Sequence, residues 1–534
     1  MRRWELIGGG GLLAAFAFLY LWNLGGPELT PVDEARSGVI VRDMVEGGRW
    51  HLPRTPDGHL SEKPPVYYAL CAGASSIVGM NEWALRGVSV AMAVGALVLA
   101  WLMAGLYGSP RASIVAVVSL GSNVVFVMWA RSAMVDMTFT FFVTGGLAAW
   151  FAVRQGRIGA WSGSVVGGIS FALAALTKGP LGLAIPLAVI AGDLIWVTRG
   201  RPWRAGIRWG PFAIGAALAI VPTAAWYALG YLRGGTEFIG TCLLGENFFM
   251  PMGQSLGIAG SHAKSIFYYP SRQLLALLPM LAILPQMIAW AVRRDAGPAR
   301  RQLVIWIAAG LAVLTIASNK RLHYLLPLQP AWAVLMGVAF DDAFRNQEAR
   351  AVRWGFLGAG ALFACAAVAA VLGLAMGFRE SAMEMIADYS GPVFVMAMLS
   401  LLAGALLTLG AIGDIQSKVR ALVVGGLLAA GFRCVLVDQV REDASCLRPF
   451  VEQVSKRIPK DVPVAIHPAI RGYGIDFYWR KHAIRDASAA DRAQVYFVQE
   501  SDLAELKAPV EVVGILPDPD KRRAVALVRL KSRR

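Results

Sequence analysis

The chain has 534 residues, of which 56% are hydrophobic and 16% charged, with a mean hydropathy of +0.54. So apolar a composition excludes an ordinary soluble globular protein. Its formal net charge of +16 does not point to nucleic acid, because the basic excess falls mostly in short loops between apolar runs, as in the cytoplasmic loops of membrane proteins.

The first apolar run, Leu6 to Trp22, follows Met-Arg-Arg. No small-residue cleavage site comes after it, so it reads as an uncleaved span and not as a signal peptide. The predicted spans are 4–22, 84–107, 111–129, 134–153, 159–177, 180–198, 211–230, 271–292, 302–317, 322–340, 354–377, 393–412 and 421–437, thirteen in all. Each approaches the roughly 20 apolar residues that cross a hydrocarbon core. The stretch Val66 to Gly79 is shorter and reads as a re-entrant or interfacial helix.

Loop charge arbitrates the count. The basic loops are Arg154/Arg157, Arg199/Arg201/Arg204/Arg208, Arg293/Arg294/Arg300/Arg301, Arg345/Arg350/Arg353 and Lys418/Arg420. With thirteen spans they share a side with Arg2 and Arg3; if 66–79 also crossed, they would lie opposite. The expected topology therefore has a cytoplasmic N-terminus, a C-terminus outside and segment 23–83 wholly outside, with one or two juxtamembrane helices.

After about residue 440 the composition changes. The runs Val462 to Ile466, Gln494 to Val498, Val510 to Ile515 and Ala524 to Leu530 are short, β-branched and bounded by Pro, Asp or Gly, which predicts strands. Cys446 to Ile458 and Ser501 to Lys507 read as helices. The expected fold is an all-α polytopic membrane domain, 1–440, with outer loops 23–83 and 231–270, followed by a small α/β domain outside the membrane, 441–534.

The unusual polar residues gather on the outer face. Asp33 and Glu34 open the segment after the first span. Carboxylates there could serve as a general base or stabilise charge developing on a sugar; the same residues after Thr30-Pro31-Val32 are also a good helix start. Asp136 is a second candidate, with pairing to Arg131 as its structural alternative. Lys63, Lys178, Lys264, Lys320, Arg321 and His323 supply the cations a lipid phosphate needs, although any one of them could simply snorkel to headgroups. Lys63 precedes Pro64-Pro65, which start a surface helix, and Lys178 lies in a Thr-Lys-Gly-Pro break between spans, where amides of the next helix could also meet an anion. Loop 231–270 adds Gly245-Glu-Asn-Phe-Phe249, His262 and the aromatics Phe267, Tyr268 and Tyr269.

No cofactor is required by these residues. A divalent cation stays open through Glu62, His51, His59 and His262, without helical ligand spacing to support it. Five cysteines show no CxxC pattern. Cys365 and Cys434 read as packing residues, whereas Cys71, Cys242 and Cys446 could face an oxidising compartment and pair there. A transporter or flippase is the competing class, but such proteins place ionisable groups near the membrane midplane, often in repeated halves, and neither feature stands out here.

These blocks carry a resemblance. Asp33-Glu34-Ala-Arg36, Trp50 to Pro53, Glu62-Lys63-Pro64-Pro65-Val-Tyr-Tyr and Glu82-Trp-Ala-Leu-Arg86 resemble the opening of bacterial GT-C glycosyltransferases. These are relatives of the dolichyl-phosphate-mannose protein mannosyltransferases and the lipid A aminoarabinose transferase. Ala133-Met-Val-Asp136, Leu176-Thr-Lys178-Gly-Pro180, Phe267-Tyr-Tyr-Pro270 and Lys320-Arg-Leu-His-Tyr324-Leu-Leu-Pro327 resemble later family blocks.

The resemblance implies a GT-C fold in a bacterial inner membrane with the C-terminal domain periplasmic. It implies inverting transfer of a sugar from a polyprenyl-phosphate carrier such as undecaprenyl phosphate to lipid A or a related envelope glycan. A protein O-mannosyltransferase-like enzyme and a non-enzymatic lipid-sugar carrier are the alternatives. It makes Asp33 the catalytic carboxylate with Glu34 beside it, adds Asp136, and assigns Lys63 to the carrier phosphate. Glu62, Lys178, Lys320, Arg321, Tyr324 and Tyr268 are further phosphate or sugar contacts. Arg321-Leu-His323 departs from the commoner Lys-Leu-Pro-x-Tyr pattern, which leaves the sugar open.

Overall fold

The computed structural model describes residues 3–30, 32–197, 207–242, 267–292, 297–316, 320–345, 349–375, 390–443, 447–459, 464–466, 472–479, 483–484, 495–499, 510–516 and 525–530, with single residues 265, 462 and 470. The sequence features at 245–249, His262, Lys264, Asn319, 378–389, Cys446 and the expected helix 501–507 lie outside them.

Apolar runs become helices because a helix satisfies its own backbone where water is absent. In chain order they are α1 (Arg3–Leu21), α2 (Asp33–Val45), α3 (Val66–Val78), α4 (Glu82–Tyr107), α5 (Pro110–Gly121), α6 (Val124–Ala130), α7 (Val135–Arg154), α8 (Ala160–Lys178), α9 (Leu181–Val197), α10 (Trp209–Phe238), α11 (Tyr268–Ala276), α12 (Leu284–Val292), α13 (Gly297–Ile316), α14 (Gln329–Arg345), α15 (Ala349–Ala375), α16 (Ser390–Ile412), α17 (Ile415–Asp443), α18 (Leu447–Ser455) and α19 (Gly474–Tyr478). Among the described residues six helices are long and apolar enough to cross a membrane, and the bent pair α5–α6 makes a seventh. Shorter apolar helices, including Gly8–Leu21, Leu181–Val197 and Met280–Val292, pack among them. The protein is thus a multi-span, mostly helical membrane protein.

Three predicted spans differ in form. The stretch 111–129 is not one rod: α5 and α6 meet at 67°. Asn123 leaves the helical path there, and its side chain accepts from Phe126 N at 3.0 Å, capping α6. The stretch 271–292 is broken by a 3₁₀ turn, Leu278–Ile283, between α11 and α12, where Pro279 and Pro285 withhold backbone donors. The stretch 322–340 opens with a second 3₁₀ turn, Leu322–Leu328, that contains Pro327. Helix α3 is formed where an interfacial helix was expected; its 13 residues reach about 20 Å, less than a hydrocarbon core.

The C-terminal strands form one five-stranded sheet in the order β2-β1-β3-β5-β4, with β1 Val464–Ile466, β2 Ala483–Ile484, β3 Val495–Gln499, β4 Val510–Leu516 and β5 Val525–Leu530. β1 is parallel to β2 and β3, whereas β3–β5 and β5–β4 are antiparallel, with a bulge at Val512/Gly514. The two-residue β2 and the single-turn α19 have no periodicity long enough to read in advance.

There are two main cores. One fills the helical bundle. The other joins Ala35, Val39 and Ile40 of α2 and Tyr67, Tyr68 and Cys71 of α3 to Phe450, Val451, Phe477 and Phe497 of the C-terminal region. Sheet and segment 23–83 therefore fold as one cap on the bundle. Gly38 permits the approach: a Cβ there would lie 2.5 Å from the Phe477 ring. Polar contacts lock the seam. Arg42 donates to the carbonyls of Asp476 and Phe477, and Glu28 accepts from Leu447 N and Arg448 N. Tyr478 Oη accepts from Leu29 N and donates to Glu82, which also pairs with Arg448 at 2.9 Å.

The cysteine expectations change. Cys71, Cys365 and Cys434 are free thiols, the Cys242 thiol donates to the Ser61 carbonyl, and Cys365 is exposed and not packed inside the bundle.

Candidate active site at the capped end of the bundle

Asp33 and Glu34 start α2 and complement its amino-terminal dipole, but they point to different places. Asp33 is exposed, and among the described residues no hydrogen bond or ion pair occupies its carboxylate. Glu34 is 1% exposed and turned inward onto Arg86 and the Ala133 amide. The adjacent pair is therefore one available carboxylate and one committed one.

Three residues into the same helix, Arg36 grips Glu62 through two hydrogen bonds of 2.9 and 2.7 Å. Burial opposes the guanidinium charge, but the Glu62 carboxylate together with Tyr473 and Tyr68 outweighs it and raises the Arg36 pKa. This pair fixes the segment that presents Lys63, held further by Ser61 Oγ donating to the Lys63 carbonyl at 3.1 Å. The role of Arg36 was missed in the sequence; the only signal was one basic and one acidic residue in neighbouring blocks.

Deeper, a second cluster joins α7, α8 and the turn before α14. Asp136, in the first turn of α7, forms a buried ion pair with Lys178 at the end of α8. It does not pair with Arg131, which pairs with Asp438 and donates to the carbonyls of Tyr20 and Trp22. Lys178 Nζ also lies 4.5 Å from the Tyr324 ring centroid. His323 Nε2 is 3.9 Å from Asp136 Oδ1, and its ring sits between Trp129 at 5.3 Å and Tyr324 at 4.8 Å. Neither Trp129 nor the pairing of His323 was legible from spacing.

Lys63 connects the two clusters, because its charge acts on both Asp136 and His323, and that of Arg321 also acts on His323. Lys320 is buried beside this turn. Tyr268 is half-buried on α11, which packs against the 322–328 turn, and Arg272 lies over its ring at 5.5 Å. The structure thus gathers Lys63, Asp136, Lys178, Arg321, His323 and Tyr324, and holds Glu62 at the rim. Such a set can receive a phosphate through its cations.

The C-terminal domain reaches this rim. Tyr473 Oη donates to Asp57 Oδ2 at 2.9 Å, and Thr55 donates to the other oxygen. Burial would raise the Asp57 carboxyl, yet these hydrogen bonds prevail and hold it below its ordinary value. Among the described residues no three His, Cys, Asp or Glu side chains converge as metal ligands.

Residues 62–226 match the family model described as dolichyl-phosphate-mannose-protein mannosyltransferase. The undecaprenyl phosphate-alpha-4-amino-4-deoxy-L-arabinose arabinosyl transferase of Shewanella sediminis is 24% identical over 95% of this chain and 94% of its own length. Its Pseudomonas fluorescens counterpart is 28% identical over 66% of this chain, a match spanning 62% of that relative. The chain is similar in sequence to these glycosyltransferases. The GT-C fold itself extends over the whole molecule: ArnT from Cupriavidus metallidurans, solved bound to undecaprenyl phosphate, superposes with a TM-score of 0.81 at 20% identity, covering 97% of this chain and 98% of that one. Within this frame the cationic cluster around Asp136 and Asp33 lie at the capped end of the bundle.

Proposed function

We propose that this chain is a polyprenyl-phosphate-sugar glycosyltransferase that moves an aminoarabinose-type sugar from undecaprenyl phosphate to lipid A. The single observation that carries the reading is the convergence of the charges of Lys63, Lys178 and Arg321 around Asp136 and His323. The activity of the Shewanella sediminis relative, matched along nearly the whole chain, supports the choice of sugar and carrier.

In this reading the sugar C1–O bond to the carrier phosphate breaks as an acceptor oxygen bonds to C1 from the opposite face, so the configuration inverts. The departing phosphate keeps the electron pair, and the three cations stabilise its growing charge. An acceptor phosphate on lipid A is already ionised and needs no base. Asp33 then orients the acceptor or the amino group of the sugar, while Asp136 holds Lys178 in place. Glu62 positions Lys63 through Arg36, and Lys320, Tyr324 and Tyr268 border the sugar and phosphate. No cofactor is required in this reading, and a divalent cation stays open.

The same reading includes thirteen spans with a cytoplasmic N-terminus, a membrane domain of 1–440 and a periplasmic domain of 441–534 in a bacterial inner membrane. It is supported by the one-sided distribution of basic loops.

Mass spectrometry of envelope lipids from cells with and without the protein tests it. The expected result is a pentosyl-sized mass shift on lipid A that disappears in the Asp33→Asn variant. The mannosyltransferase family match favours one second reading, transfer to protein, for which the shift would fall on envelope proteins instead.

A further inference from the structure

Glu34 and Arg86 form a closed polar unit in the capped end of the fold. Arg86 uses all five of its N–H donors. Nε and one Nη2 hydrogen reach the two Glu34 oxygens at 3.0 and 2.9 Å. The others go to the carbonyls of Leu24 at 3.0 Å, Pro27 at 2.7 Å and Glu28 at 2.6 Å. Glu34 is equally occupied: Oε1 also accepts from Ala133 N at 2.7 Å, and Oε2 from Thr30 N at 2.9 Å. Both side chains are 1% exposed. A carboxylate so enclosed and so fully bonded has no room to take a proton from a substrate or to touch one.

Burying two charges is a poor way to gain stability, because desolvation offsets most of their attraction; such pairs are better explained where they fix one geometry. The geometry fixed here is specific. Glu34 is the neighbour of Asp33 at the start of α2, and Ala133 lies one residue before Met134, the residue that caps α7 and so sets Asp136. One carboxylate therefore ties together the starts of the two helices that carry the exposed acid and the lysine-bound acid. Arg86 adds the third element, α4, and the carbonyls of the strap 24–28 that leads into α2.

We infer that Glu34 and Arg86 are positioning residues for sugar transfer, a clamp that holds Asp33 and Asp136 in mutual register. The inference rests on the transferase reading and removes Glu34 from the catalytic groups. Misplacing a reacting group by about 1 Å lowers a rate by about 10²-fold, so the clamp acts on turnover and not on donor capture.

The test uses purified full-length protein in lipid nanodiscs, with undecaprenyl-phosphate-linked 4-amino-4-deoxy-L-arabinose as donor and lipid A as acceptor. Glu34→Gln is compared in the wild-type background and in Asp33→Glu, which keeps a carboxylate and a readable rate but already displaces it. In the wild-type background kcat is expected to fall about 10²-fold with donor KM unchanged. In the Asp33→Glu background the added loss is expected to be much smaller, because groups acting as a unit are non-additive. Equal fold losses in both backgrounds, or a loss carried by donor KM, would overturn the clamp. Arg86→Lys is read in the same two backgrounds, so the result stands even if Glu34→Gln does not fold. Absence of transfer by the wild-type protein would remove the transferase reading itself, a failure distinct from additivity among the variants.

Discussion

Lys178 closes on Asp136 across two helices, and the same ammonium stands over the Tyr324 ring at 4.5 Å. A cation held at once by a carboxylate and an aromatic face is fixed in direction. Removing either charge leaves the other buried without its main counter-ion, at about 3–5 kcal/mol. Lys178→Ala and Asp136→Asn are each expected to lower the melting temperature in detergent sharply. The double variant Asp136→Asn/Lys178→Met should recover much of the stability but none of the transfer. Recovery of both would reduce the pair to a structural element.

Asp33 makes the opposite prediction. Its side chain is exposed, so Asp33→Asn should change stability by no more than about 0.5 kcal/mol. Its effect on turnover should reach about 10²-fold or more. Thermal melting and single-turnover transfer on one preparation separate the two.

Lys63, whose charge acts on Asp136 and His323, contacts the carrier phosphate in the proposed reading. A hydrogen bond to a charged group contributes about 1.5–3 kcal/mol. Lys63→Ala should therefore weaken binding of undecaprenyl phosphate by about tenfold to a hundredfold, measured by titration of the purified protein. Unchanged affinity would take Lys63 out of the phosphate site. Glu62→Gln should weaken it less, since it acts through the Arg36 grip alone.

The Tyr473–Asp57 bond predicts a pH dependence in the cap. The folded-state pKa of Asp57 lies below its ordinary value. The bond therefore stabilises at pH above the unfolded carboxyl value, about 3.9, and its contribution is lost as pH falls through the lowered folded value. Hydrogen-exchange protection of residues 54–62 should hold from neutral pH down to the ordinary carboxylate range and fall only below it. Tyr473→Phe should reduce that protection already at neutral pH, by about 0.5–1.5 kcal/mol.

Much of the fold was legible because apolar length is a direct requirement of the bilayer. The helices and the strand-rich end follow from runs of residues, whereas the breaks at Asn123 and between Pro279 and Pro285 needed local backbone chemistry to be seen. The site was legible as a set of residue types on one face. Its pairings were not: Arg131, the structural alternative offered as a partner for Asp136, belongs to Asp438, and the Lys178 read as a phosphate ligand is also the partner of Asp136.

By itself, then, the sequence determined the class of protein, the approximate position of its helices and the chemical character of one face, because hydrophobic length, turn residues and charge act locally. Only the tertiary structure decided that Asp33 and Glu34, adjacent in the chain, have opposite fates. Successive residues in the first turn of a helix point about 100° apart, and the neighbouring Arg86 and Ala133 decide which of the two directions is interior.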